Sequence, residues 1–453
     1  MTIDRSFTAR RAAADPAVLR APGAEGDALR RALIARSTIA VIEPGYPTKR
    51  FLYERAAELD AVLVLVGGHE SEWARTLVDE GIASRFLDAD LSGDPDSGAD
   101  AVLAALGLDG RAIDGVVTFW EDAVPATARV AAALGLAGAT PAAADGARSK
   151  LRTLEASRAA GLPTPRFMRL ESSERLQEAA SYIGFPAVIK PVFGAEALGV
   201  LRVDDFESLE AGYSRVAELV TPELNAIFLQ GCDLLLEEYL DGIEFDVDMV
   251  FSGGACVFSA ISENWPTHEP YFVETGMHSP SAHPPERLAA MTDLCVRTAL
   301  ALGFRDSILH AEAKDTSRGP RLLELNARLG GGSIPDTHRH VTGVDLVEQQ
   351  LLVALGLPAA PTGEPVPVVG VVTVYVHASR SGILEHDGFL DHLAADPTVI
   401  VPVVPVAPGE RVTAAEDGFP TVIAEFTVVG ANVDDARERA RAIAEELDVP
   451  YAG

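Results

Sequence analysis

The sequence predicts an α/β unit followed by larger α+β units. Three observations predict it. Buried apolar runs alternate with helical spacing over the first third of the chain. From about Ala144 the texture changes to pairs of strands around short turns. The tail is again strand-rich, with one helix. The 453 residues are 48% hydrophobic and 23% charged, which suits a large core shared among two to four structural units.

The elements follow in order. The first 35 residues are rich in Ala, Arg and Asp and read as an N-terminal arm, poorly ordered or partly helical. "STIAVIEPG" is a buried strand ending in a turn, "KRFLYERAAELD" has helical spacing, and "AVLVLVGG" is a second buried strand. "DGVVTFW" and "VPATARVAAALGL" repeat the pattern, so a parallel sheet is expected over residues 36–145. The first strand runs into "EPGYPTK" and not G-x-G-x-x-G, which argues against a dinucleotide site. Residues 146–358 form the second unit, with "GARSKLRTLEASRAAGLPTP" as one helix closed by Gly161, Pro163 and Pro165. Within it "FPAVIKPVFGAEALGVLRV" is two strands around a Gly-containing loop, and residues 186–240 are expected to form a lid. "DLLLEEYLDGIEFDVDMVF" is a strand, a break and a strand; "SILHAEAKDTSRGPRLLELNARLGGG" is a hairpin; "GVDLVEQQLLVALG" is a helix. Residues 359–453 are expected to be a small C-terminal α+β domain, its helix at "DDARERARAIAEEL".

Composition excludes some partners. A formal net charge of −30 repels nucleic acid and anionic membranes, so neither is an expected partner. Cys232, Cys256 and Cys295 have no CxxC spacing, which argues against a zinc site and a disulfide framework. A reducing cytoplasm is the simplest compartment. No secretory h-region and no long apolar run is visible in the sequence.

The chemistry lies in the middle third. Alternate strand residues share a face, so Glu324, Asn326 and Arg328 face one way and Leu323, Leu325 and Ala327 the other. In the partner strand His310, Glu312 and Lys314 share a face. If Asp315 pairs with Arg321, Glu312 sits opposite Glu324, with their Cβ atoms about 5 Å apart. Two bare carboxylates there repel unless a cation lies between them. Mg²⁺ suits such oxygens and keeps substrate phosphates as further ligands; Asn326 adds a neutral oxygen. Arg328 is placed to bind an anion beyond the metal. A solvated sheet face with cross-strand ion pairs is the competing reading, and a one-residue slip reverses the argument.

Gly194 and Gly199 bound a GxxxxG stretch without the Lys-Ser/Thr of a Walker A motif, since Val200 and Leu201 follow. Such a loop still offers backbone N–H groups to phosphates, and Lys190 ends the strand before it. An ordinary Gly-bounded turn reads the same way. Glu237, Glu238 and Glu244 flank a buried strand, and Glu244 could accept ribose hydroxyls.

The order of these pieces resembles the ATP-grasp superfamily. The matching pieces are Lys150 in "SKLRTLEASRAAGLPTP", "VIKPVFGAEALGV", "LLLEEYLDGIEFDVD", "HAEAK" and "LLELNARLGGG", covering about residues 140–355. The resemblance implies an ATP-grasp fold with an N-terminal parallel α/β domain and a small strand-rich C-terminal domain. It implies that Lys150 and Lys190 touch ATP phosphates and that the flap from Gly194 to Gly199, with Glu196 and Leu198, covers them. Glu237, Glu238, Tyr239 and Leu240 would form the adenine hinge, with Glu244 on the ribose. Glu312, Glu324 and Asn326 would hold two Mg²⁺, with Mn²⁺ an acceptable substitute. Arg328 would stabilise an acyl-phosphate and a tetrahedral intermediate. The flap lacks the Ser common in relatives.

"FVETGMHSPSAHP" is similar to a segment of L-amino acid α-ligases of the bacilysin-synthesis type. By that resemblance His278 would contact a bound amino acid, and Glu274 and His278 are the candidate general bases. Where those ligases often carry bulkier residues, this chain has Gly330, Gly331 and Gly332: the pocket is wider, or the loop N–H groups bind the acyl oxygen. The implied activity joins an amino acid carboxylate to an amine through an acyl-phosphate, with small-molecule substrates and a homodimer among the allowed assemblies. The alternatives are an ATP-grasp enzyme acting on a phosphorylated substrate held by Arg339 and His340, and a non-catalytic nucleotide-binding module.

Overall fold

The computed structural model describes residues 6–195, 197–221, 228, 230–361, 369–388, 393, 395–403, 406–414, 420–447 and 449–452. The arm is helical from residue 7 onward, in three helices, Phe7–Ala13, Pro16–Arg20 and Ala24–Ile34. It is tied to the body. Arg11 donates to the carbonyls of Leu355 and Gly356 at 3.2 and 2.7 Å, and buried Arg30 donates to Leu19 O at 2.7 Å. Guanidinium groups thereby satisfy helix-end carbonyls that would otherwise lack partners.

The first sheet is wholly parallel. Its strands are β1 (Thr38–Ile42), β2 (Val62–Gly67), β3 (Arg85–Asp88) and β4 (Gly115–Val117), in the order β3-β2-β1-β4. Apolar side chains on both strand faces let helices cover both sides. After β1 the chain turns at Gly45 (φ 68°), where a Cβ would lie 2.4 Å from the Trp120 ring. Only glycine fits that turn.

The expected long helix after Ala144 is two helices, Pro141–Arg148 and Lys150–Ala159. The break is at Ser149, whose extended backbone and side chain cap the second helix through Arg152 N. Lys150 is thereby set at a helix start.

A second sheet carries β5 (Phe167–Leu170), β6 (Ala187–Pro191), β7 (Leu201–Val203) and β8 (Leu234–Glu238), ordered β5-β8-β6-β7 and antiparallel. Helices Leu176–Ile183 and Phe206–Leu219 pack on it around Ile189, Leu236, Leu209 and Val216. β5, which precedes the residues 186–240 expected for the lid, pairs with β8 in this sheet.

The large sheet holds β9 (Ile243–Ser252), β10 (Ala255–Asn264), β11 (Gly276–Ser279), β12 (Ser307–Thr316), β13 (Gly319–Asn326) and β14 (Gly370–His377). After β15 (Gly382–Leu384) come β16 (Val399–Val403), β17 (Arg411–Val412), β18 (Val422–Gly430) and β19 (Tyr451–Ala452). The order β13-β12-β9-β10-β11-β14-β18-β16 makes eight strands, and β17-β15-β19 form a small sheet beside it. The C-terminal segment thus extends the central sheet.

The large sheet has two different faces. Phe245, Val247, Leu309, Ala311 and Leu325 pack under helix Pro285–Leu302, and Val372, Phe426 and Val428 under helix Val433–Glu446. The alternate residues face the other way: Asp246, Asp248, His310, Glu312, Glu324, Asn326, Tyr375 and Glu425. A buried face this polar is unusual for packing alone.

The hairpin register differs from the expected one and reaches the same result. Asp315 pairs with Pro320, not Arg321, but a bulge between Glu312 and Ala313 restores Glu312 opposite Glu324. Among the described residues no helix is long and apolar enough to cross a membrane.

Candidate active site

A cleft lies between the lid and the polar face. Lys150, Lys190, Gly194, Leu198, Glu237, Glu238, Tyr239, Leu240, Glu244, Glu274, Glu312 and Glu324 line it, all of them residues singled out in the sequence. Glu196 lies outside the described residues. Gly199 does not line the cleft; its φ of 76° turns the loop against Pro191. Asn326, Arg328, Gly331, Gly332 and His278 do not line it either.

The two lysines meet carboxylates. Lys150 Nζ is 2.5 Å from Glu324 Oε2 and donates to Gly194 O at 3.1 Å. Buried Lys190 is 2.9 Å from Glu237 Oε2, so Glu237 neutralises the lysine that the strand delivers. Glu238 is held from outside by Arg318 at 2.7 Å and by Arg166. Burial would raise its carboxyl, but these donors leave it below the usual range. Tyr239 donates to Glu269 at 2.7 Å, and burial with that acceptor raises its phenol to about 12. The Lys314 ammonium lies 5.9 and 5.8 Å from the Tyr239 and Phe272 ring centres, within cation–π reach.

The hairpin face is strongly anionic. Burial would raise the Glu324 carboxyl, but Lys150 above all, with Asn326 and Lys190, holds it down to about 2. Asn326 Nδ2 donates to Glu324 Oε1 at 2.8 Å. Glu244, 3.8 Å from Lys314, is pushed up to about 8 by burial and Glu312. Asp246 is pushed up to about 7 by burial, which outweighs His310. Asp246, His310 and Glu312 each offer an atom, all within 4.8 Å of one another. Carboxylate and imidazole groups crowded in this way suit a cation, and hard divalent ions are the chemical match.

Arg328 is fixed from the first domain. Its Nε is 2.7 Å from Glu121 Oε2, and its guanidinium also donates to Leu329 O at 2.8 Å. The glycines after it differ in role. A Cβ at Gly331 meets nothing within 4 Å, whereas one at Gly332 (φ 48°) would lie 2.3 Å from Glu425 Oε1. Gly332 lets the Glu425 carboxylate come close.

Glu274 is brought to the cleft and His278 is not. Glu274 is exposed at the cleft wall, and partial desolvation there with Glu312, Asp246 and Glu244 nearby raises its carboxyl above its ordinary range. His278 pairs with Glu263 across β10, one residue out of step with Asp246. Its ring therefore lies on the back of the sheet, where Trp265 Nε1 donates to its Nδ1 at 3.2 Å. Met277 takes the polar-face place instead. His278 was expected to contact a bound amino acid; its ring stands on the face opposite Glu312 and Glu324, away from the cleft lining. Arg339 and His340 are occupied by Asp336, the first at 2.6 Å through its carboxylate and the second at 2.8 Å through its carbonyl.

Sequence reasoning missed Asp246, Asp248, His338 and Glu121. Asp248 Oδ1 is 3.1 Å from His310 Nδ1 and its Oδ2 is 2.8 Å from His338 Nε2. Burial would raise Asp248, but the two imidazoles hold it far below the usual carboxylate range; His310 is raised in return. The alternating acids of "EFDVD" were the available signal. Glu121 carries no local signal.

Comparison with known proteins follows the same lines. A family model for the ATP-grasp domain matches residues 183–336, and one for the ATP-grasp N-terminal domain matches residues 53–138. Carnosine synthase 1 of Homo sapiens is 33% identical over 370 residues, covering 78% of this chain and 44% of that protein. The chain thus spans less than half the length of that relative. Alanine–anticapsin ligase of Bacillus subtilis is 26% identical, covering 73% of this chain and 76% of its own. The L-amino acid ligase structure from Bacillus licheniformis superposes with a TM-score of 0.79 at 23% identity, covering 92% of this chain and 99% of its own. Its fold is shared from the parallel sheet through the large antiparallel one. With both domain models matched in order and a cleft between lid and sheet, the chain belongs to the ATP-grasp superfamily.

Proposed function

We propose that the chain is an ATP-dependent ligase that joins an amino acid carboxylate to an amine, forming a dipeptide or peptide-like amide. The observation that carries this reading is the pairing of Glu312 with Glu324 beneath Lys150 and Lys190. The relatives named a carnosine synthase and an alanine–anticapsin ligase support the amide-forming class.

The cleft fits a nucleotide and hard cations. Lys150 and Lys190 lie near the flap glycines, as phosphate ligands would. The donor set Glu312, Glu324 and Asn326 suits Mg²⁺, and Asn326 would turn its amide to present oxygen. We assign two ions, with Mn²⁺ a substitute, and Glu244 to the ribose. Bound Mg²⁺ would neutralise the transferring phosphoryl group.

The chain's own residues do the rest. The substrate carboxylate oxygen attacks the γ-phosphorus, and ADP leaves. The amine nitrogen then attacks the acyl carbon, and phosphate departs with that oxygen. Lys150 and Lys190 hold phosphoryl oxygens in line. Arg328, oriented by Glu121, faces the oxyanion that develops at the acyl carbon. Glu274 is the residue we assign to accept the amine's proton, since it reaches the cleft with a raised pKa. We assign residues 36–145 to the first domain, 146–358 to the ATP-grasp domain and 359–453 to the C-terminal part, with the lid extended back to Phe167.

The test is a screen of phosphate release with ATP and Mg²⁺ over pairs of amino acids and amines, with product masses measured. The expected result is ADP, phosphate and an amide from at least one pair. Silence on every pair, with turnover of phosphorylated carboxylates instead, would overturn the reading.

A further inference from the structure

A second cavity lies at the margin of the large sheet, between its back and helix Val433–Glu446, and reaches Glu244 and Lys314 at the cleft side. It measures about 650 Å³, within the range of small-molecule sites. Its walls carry both signs of charge. Arg437 and Arg441 stand one helical turn apart on one wall, and Glu263 projects from β10 on the other. Between them are Trp265, Val374 and Ala444. The Arg437 guanidinium lies 5.6 Å from the Trp265 ring centre, within cation–π reach. Trp265 in turn donates to His278, whose Nε2 lies 3.7 Å from Glu263 Oε2.

We propose that this cavity binds a free amino acid with an apolar side chain, and that its occupancy is coupled to the nucleotide cleft. Arg437 matches a carboxylate, with Arg441 joining it by exchange from Glu445, its partner at 2.8 Å; Glu263, which accepts from Ser281 at 2.6 Å, matches an ammonium, and the Trp265 and Val374 surfaces an apolar side chain. A simple anion would leave Glu263 opposed to it, and a simple cation would face two arginines. The cavity's Glu263 and His278 wall lies on the face opposite Glu312 and Glu324, and it meets the cleft only where Glu244, Lys314 and Thr267 line both.

The coupling has a physical route. Glu244, Lys314 and Thr267 line both cavities. The Glu244–Lys314 pair, 3.8 Å apart, is the partition between them. A ligand that biases this pair from one side changes affinity on the other, and such coupling is reciprocal. The coupling rests on the nucleotide reading above; the binding does not.

Trp265 reports directly, as the one of three tryptophans that lines the cavity. L-leucine and L-phenylalanine would be titrated into the full chain without ATP, followed by calorimetry and tryptophan fluorescence. Saturable binding is expected, weaker for leucinamide and for N-acetyl-leucine. Arg437→Met should weaken it about tenfold or more, and Ala444→Trp should abolish it by filling the cavity. Both variants should still bind ADP with Mg²⁺, but with its affinity no longer dependent on leucine. Absence of amino acid binding would overturn the proposal. So would binding that is unchanged in both variants, which would place the ligand in the cleft. A failed ligase screen alongside cavity binding would overturn only the proposed activity.

Discussion

Lys150 Nζ lies 2.5 Å from Glu324 Oε2, joining the first turn of a capped helix to the metal-facing edge of the hairpin. Without ligands the ammonium neutralises a carboxylate that the proposed metal would otherwise neutralise. Loading the site requires an exchange: Glu324 turns to the cation and Lys150 to a phosphate.

Lys150→Met tests that exchange. The substitution removes the strongest influence holding Glu324 low, so its carboxyl should titrate well above about 2 in carbon NMR. Turnover should fall by about 10²-fold or more, through loss of a phosphoryl-directed charge. An unchanged Glu324 titration would contradict the ion pair.

The Asp248–His310–His338 trio is a stability device as much as a site support. Asp248 is depressed, so its contribution is present above the unfolded carboxyl pKa and is lost as pH falls through the folded value. His310 is raised, so its contribution is full below its unfolded pKa and is lost as pH rises through the folded value. Thermal unfolding across pH should therefore show a plateau between the two losses. Asp248→Asn should cost about 3–5 kcal/mol and flatten both limbs, since it strands buried imidazoles.

Two of the three glycines after Arg328, Gly331 and Gly332, should respond differently. Gly331→Ala should leave stability nearly unchanged, because its Cβ meets open space. Gly332→Ala should cost about 1 kcal/mol for its positive φ alone and also push Glu425 aside. Chemical denaturation and the amine KM check both; the KM should change only in the second.

His278→Ala should keep kcat within about threefold of the parent, whereas Glu274→Gln should lower it by about 10²-fold or more. Their relative positions on the large sheet predict this contrast. Equal losses in both would mean that the ring reaches the reacting groups.

Much of the fold and half of the site were legible in the sequence. Strand–helix alternation was enough for the first sheet, because buried parallel strands are apolar on both faces. Glu312 and Glu324 were legible because parity alone sets a hairpin's faces, and the bulge after Glu312 compensated for an incorrect pairing downstream. His278 and Met277 differ by one step, and only the pairing of β10 with β11 decides which of them faces the cleft. Glu121 meets Arg328 through docking of two domains, which no local pattern encodes. The break at Ser149 was written in the sequence, as Ser is a common helix cap, but the long apolar spacing around it masked the signal.

The most direct measurement uses a carboxylate substrate labelled with ¹⁸O on both oxygens, analysed by the mass of the released phosphate. Activation on the Glu312–Glu324 face predicts one ¹⁸O per phosphate, formed with ADP and lost together with ADP formation in Glu324→Ala. Unlabelled phosphate from a reaction that still yields the amide would contradict acyl-phosphate formation.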